Sequence, residues 1–135
     1  PRQRRREAVR MVSELRVKTP SIHQPIRLLS GGNQQKALLG RWLNVGVRML
    51  VLDGPTEGID IGSRLEIYAL LRDLAADGVA IALFSSDFEE VKLLADRVVV
   101  LRRGRVAGEL RGGEISEERL YGLQYGKSAE EARSR

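Results

Sequence analysis

A chain of 135 residues is long enough to form one domain with its own core. With 42% hydrophobic and 30% charged residues, its composition is that of a globular protein. The formal charge of +5 is moderate, and aromatics at 4% are too sparse for a base-stacking platform, so no nucleic-acid partner is expected. Cysteine is absent, which excludes disulfides and thiol chemistry. No apolar run approaches the roughly 20 residues that a membrane span needs. The chain begins with Pro1 and reads as a fragment of something longer.

Gln3 to Arg16 is polar with apolar points at Ala8, Val9, Val12 and Leu15, the spacing of an amphipathic helix. It opens with Arg2, Arg4, Arg5, Arg6 and Arg10, which read as a solvated face or as a contact for anionic surfaces. Thr19-Pro20 stops it, and a loop to Leu28 carries the only histidine, His23. A helix follows from about Gly32 to Asn44; Gly40 weakens it by about 1 kcal/mol relative to alanine, which points to close packing there. Arg48 to Asp53 predicts a buried strand, and Gly54-Pro55-Thr56-Glu57-Gly58 a loop. Ile61 to Ala76 predicts a helix with Leu65, Tyr68, Ala69, Leu71 and Leu74 on its apolar face. Val79 to Phe84 is a second buried strand, and Phe88 to Ala95 a short helix. Arg97–Leu101 and Arg105–Leu110 form a hairpin about Arg102-Arg103-Gly104. A last short helix spans Ile115 to Tyr121. Strand–helix–strand order with continuous apolar strands implies an α/β fold, a parallel sheet covered by helices, to which the hairpin adds antiparallel strands.

Leu29-Ser30-Gly31-Gly32-Asn33-Gln34-Gln35-Lys36 is the stretch that carries chemistry. A serine and two glycines at the mouth of a helix let an anion approach N–H groups that lack internal partners. The next segment, Met49-Leu50-Val51-Leu52-Asp53, is four apolar residues ending in a carboxylate, as in a strand delivering aspartate to the carboxyl edge of a parallel sheet. Together these segments resemble the signature and Walker B sequences of ATP-binding cassette (ABC) ATPases. The variant with Asn33 and Gln34-Gln35-Lys36 is similar to the second ATPase half of sugar importers of the ribose, galactose and xylose type. The likeness runs from about Met11 to Leu110.

The resemblance implies an incomplete P-loop NTPase fold, divided as a helical-subdomain segment with a loop (1–29), the carboxyl-terminal part of an ABC ATPase domain (30–125) and a frayed tail (126–135). It implies ATP and Mg²⁺ as ligands of the complete assembly. Ser30, Gly31, Gly32, Asn33 and Gln34 would close over ATP held by an opposite ATPase half, and Asp53 would hold the metal. Gly58 and Asp60 resemble the D-loop, which crosses the dimer interface; Asp60 also reads as a helix N-cap. Two positions depart from the commonest pattern. Gly54 stands where a catalytic glutamate is usual, and Ser86 where many such ATPases have a histidine, although serine is typical of this subgroup. Glu57 lies three residues on, beyond Pro55, and the motif gives it no role. No Gly-x-x-x-x-Gly-Lys-[Ser/Thr] phosphate loop occurs: Gly126-Lys127-Ser128 would need glycine at 121, where Tyr121 sits. In an intact domain that loop precedes Pro1.

The expected function is therefore that of the carboxyl-terminal portion of a sugar importer's ATP-binding subunit. It would offer a signature to a composite ATP site and carry a degenerate Walker B site of its own. Its expected partners are the opposite half, membrane permease subunits and, indirectly, a sugar-binding protein, at the cytoplasmic face of the membrane. The chain alone is expected to be inactive. The alternative is a non-catalytic regulatory or assembly module that binds no nucleotide.

Overall fold

The computed structural model describes residues 2–126, and the chain forms two compact units, Pro1–Phe84 and Ser85–Arg135. All but Gly126 of the expected frayed tail lies outside the described residues.

The first unit comprises α1 (Arg2–Glu14), a 3-10 turn (Ile26–Leu28), α2 (Gly31–Leu43), β1 (Met49–Asp53), α3 (Ile61–Ala76) and β2 (Ala80–Phe84). β1 and β2 pair in parallel, from Met49 opposite Ala80 to Asp53 opposite Phe84, with α3 as the crossover. Asp60 caps α3 by accepting from the Ser63 N–H at 2.9 Å. The interior is built from Leu39 of α2, Leu50 of β1 and Ile67, Tyr68 and Leu71 of α3. Gly40 does mark a close approach: a Cβ there would lie 2.5 Å from Leu15 Cδ1.

Two expectations are corrected here. α3 runs as expected, but Leu65 and Ala69 are exposed while Ile67 is wholly buried. The apolar residues of α3 are interrupted by Arg64, Glu66, Arg72 and Asp73 and do not form one clean stripe; packing against α2 and β2 selects the buried face. The strands are also more open than continuous burial requires. In β1 only Leu50 is buried, and Met49 and Val51 are 57% and 64% exposed. Successive strand residues point to opposite faces, and only one face of this pair meets a buried layer.

The second unit comprises α4 (Phe88–Leu94), β3 (Arg97–Arg102), β4 (Arg105–Arg111), a 3-10 turn (Gly112–Glu114) and α5 (Glu117–Tyr125). β3 and β4 form a separate antiparallel pair. Their two-residue loop has positive φ at both Arg103 (50°) and Gly104 (73°). That is the turn whose twist matches a hairpin's, and glycine enters it without a Cβ penalty. α5 starts two residues later than expected because Ser116 takes the cap position and accepts from the Arg119 N–H. Leu110, Ile115, Leu120 and Leu123 form the core. Among the described residues, no helix is long and apolar enough to cross a membrane.

Candidate functional site

The signature-like stretch lies at the start of α2. Ser30 occupies the N-cap position with extended backbone, but its hydroxyl accepts from Asn33 Nδ2 at 2.8 Å instead of capping a backbone N–H. Asn33 Oδ1 in turn accepts the Lys18 N–H at 2.7 Å, tying the start of α2 to the chain leaving α1. Gln34 folds back and donates to the Leu29 carbonyl at 2.8 Å. Ser30 and Gly31 are exposed, whereas Gly32 and Asn33 are buried. The first N–H groups of α2 have no acceptor within the helix, so the exposed serine–glycine rim presents donors and the positive end of the dipole. Gly32 faces inward instead: a Cβ there would lie 2.4 Å from Ser63 Cβ, where the starts of α2 and α3 meet.

One group at this site was not singled out by sequence reasoning. Lys36 is only 2% exposed, and its ammonium pairs with the Glu66 carboxylate and donates to the Arg16 carbonyl at 3.3 Å. Lys18 Nζ meets the same carboxylate at 3.0 Å. A buried ammonium is tolerated only when paired and hydrogen-bonded. Hydrogen bonding first from Lys36 and then from Lys18 holds Glu66 below the usual glutamate range. The signal was present: Lys36 falls on the inner stripe Gly32, Asn33, Leu39, Gly40, where a charge calls for a partner on a neighbouring helix.

Asp53 ends β1 and is exposed. Gly54 continues the ladder, its N–H donating to the Phe84 carbonyl at 2.9 Å, and then turns with φ of 50°. The Glu57 N–H closes that turn on the Gly54 carbonyl at 3.1 Å, with Pro55 and Thr56 buried between them. Asp53 and Pro55 border a cleft of about 410 Å³ lined mainly by Leu38, Trp42, Met49 and Leu50. Gly58 is exposed with φ of 70°, so the chain reverses just before the Asp60 cap. The Ser63 backbone N–H, then the Ser63 side chain, hold Asp60 below the ordinary aspartate range. His23 is exposed in its loop.

In the second unit, Ser86 is exposed in the segment that opens α4. Its neighbours are committed locally. Asp87 accepts from the Glu89 and Glu90 N–H groups at 3.0 and 3.2 Å, and its own N–H donates to Ser85 Oγ at 3.0 Å.

No protein-family model matches the chain. Among curated proteins it is 48% identical over 118 residues to the ribose import ATP-binding protein RbsA 1 of Rubrobacter xylanophilus, covering 87% of this chain and 24% of that protein. It is 50% identical over 123 residues to the arabinose import ATP-binding protein AraG of Ralstonia nicotianae, covering 90% and 24%. Among solved structures, an ATP-binding cassette of an ABC transporter superposes with a TM-score of 0.76, covering 87% of this chain and 48% of that one. The chain belongs to the ATP-binding cassette family. At 24% identity the solved cassette shows the fold alone, an α/β fold with a parallel strand pair, covering helices and a hairpin. This ABC segment spans about a quarter of the length of the curated relatives it matches and about half of the solved cassette.

Proposed function

We propose that this segment serves the ATP-binding subunit of an ABC importer for a pentose or related sugar. The observation that carries the reading is the likeness, near 50% identity over most of the chain, to ribose and arabinose import ATP-binding proteins. The geometry supports it. Ser30 and Gly31 form an exposed rim at a helix N-terminus, which suits phosphate held by an opposite ATPase half. Gly32, Asn33 and Gln34 serve by fixing that rim. Gly58 and Asp60 are the segment's contribution to the interface between halves.

Asp53 is the residue that would hold Mg²⁺. It offers one exposed carboxylate, and among the described residues no group of three or more His, Cys, Asp or Glu could hold a metal ion. One hard oxygen ligand fits an ion that takes its remaining ligands from phosphate oxygens and water. Asp53 and Gly54 belong to this half's own nucleotide site. Gly54 offers no carboxylate there, so that site turns over slowly. The segment lies at the cytoplasmic face of the membrane, and its partners there are membrane permease subunits and, only indirectly, a sugar-binding protein.

The test is labelled sugar uptake by cells lacking the full-length gene, restored by the wild type or by Gly31→Asp, together with Mg-ATP binding by the full-length protein. Uptake of ribose, arabinose or a related sugar should depend on the wild-type gene and fail with Gly31→Asp. A full-length protein that binds no Mg-ATP and restores no sugar uptake would instead support the non-catalytic module.

A further inference from the structure

The loop after Asp53 places a second carboxylate where residue 54 has none. A Cβ built on Gly54 would lie 2.8 Å from the Glu57 carboxyl carbon and 3.0 Å from its Oε1. The Glu57 side chain therefore lies in the space that a side chain on residue 54 would enter, next to the strand end that carries Asp53. Three features bring it there. The Glu57 N–H to Gly54 carbonyl bond closes the turn and sets residue 57 back over residue 54. Buried Pro55 and Thr56 anchor the two residues between, and the proline ring fixes one of their dihedrals. Gly54 itself, at φ of 50°, has no Cβ to collide with the carboxylate. The glycine and the glutamate are thus two parts of one arrangement: the first leaves a space and the second fills it. Sequence spacing hides this, because three residues and a proline separate the two positions along the chain.

We propose that the Glu57 carboxylate receives the proton of the attacking water at this half's own nucleotide, so that the hydrolysis this site retains runs through Glu57. The inference rests on the importer reading above. In the step, the water oxygen bonds to the γ-phosphorus as the bond from that phosphorus to the bridging oxygen breaks. ADP leaves with the bond's electron pair, and the water proton passes to the Glu57 carboxylate. A positioned general base contributes about 10²–10⁴-fold in rate. A carboxylate reaching in from a loop retains part of that, which is why the site is slow and still active.

The experiment uses the full-length protein in its membrane complex, loaded with radiolabelled Mg-ATP, freed of excess nucleotide and quenched over time. Retained nucleotide, its ATP-to-ADP ratio and the melting temperature are each measured. The wild type should convert bound ATP in two phases, the slow one from this half's site. Glu57→Gln should slow that phase by about 100-fold or more while retaining the same amount of nucleotide, now as ATP, with an unchanged melting temperature. Glu57→Asp, which keeps the carboxylate on a shorter stem, should fall between. A slow phase equally fast in Glu57→Gln, or absent from the wild type with ATP retained unreacted, overturns the assignment and leaves the importer reading standing. Loss of retained nucleotide and of melting temperature together in Glu57→Gln also overturns it, since the side chain then only holds the turn. A wild-type complex that retains no nucleotide overturns both readings.

Discussion

Gly31 and Gly32 are where chemistry and packing can be separated by two substitutions. A Cβ on residue 32 would lie 2.4 Å from Ser63 Cβ. Ordinary carbon–carbon contact is about 3.5–4.0 Å, so the starts of α2 and α3 must part by roughly 1 Å or more to admit even alanine. Overpacking of this kind costs about 1–3 kcal/mol, and the better helix propensity of alanine returns about 1 kcal/mol. The net loss for Gly32→Ala is about 0–2 kcal/mol, or a few degrees in melting temperature for a domain of ordinary size. Gly31→Asp tests the chemistry instead: a Cβ there meets only Ile59 Cγ1, at 3.9 Å, and the residue is exposed. It places a carboxylate at the rim, against the phosphates that the opposite half would hold. Two unit charges about 4 Å apart repel by roughly 4 kcal/mol at an effective dielectric near 20. That is about a thousandfold in forming the closed state. The full-length variants should therefore melt within a few degrees of each other, while steady-state ATPase is nearly retained in Gly32→Ala and abolished in Gly31→Asp. Ser63→Gly should restore the stability of Gly32→Ala. Unimpaired ATPase in Gly31→Asp would refute the charge argument. An alanine variant more stable than the wild type would refute the packing argument.

Glu66 is held below its ordinary value of 4.5 by Lys36 and then Lys18, so the stability it lends is present above that value and is lost as pH falls through its lower folded-state value. Glu66→Gln should melt lower than the wild type at neutral pH, and the gap should close in acid; a gap that stays constant with pH would count against the pair. The open face of β1 makes a separate prediction for the 135-residue chain alone. With Met49 and Val51 exposed, it should self-associate in sedimentation at rising concentration, and Val51→Lys should shift it toward monomer. A monomeric wild type at all concentrations would contradict this.

What the sequence determined by itself was the set of elements and the nature of each end. Ser-Gly-Gly before an uninterrupted run placed the start of α2, four apolar residues placed Asp53 at the end of β1, and Arg103-Gly104 placed the hairpin, because these are signals of local backbone preference. The parallel pairing also followed from strand–helix–strand order, and the family from the motifs at Leu29–Lys36 and Met49–Asp53. What only the tertiary structure decided concerns residues far apart or folded back on each other. Ile67, and not Leu65, became the buried side of α3, which packs against α2 and β2. Lys36 could be buried only because Glu66 of a neighbouring helix meets it. Glu57 returned to Gly54 because a turn closed by one hydrogen bond cancels the separation that three residues suggest. Backbone propensity and hydrophobic period act within a segment and can be read along it. Which side chains share a space depends on how segments pack, and no single segment contains that information.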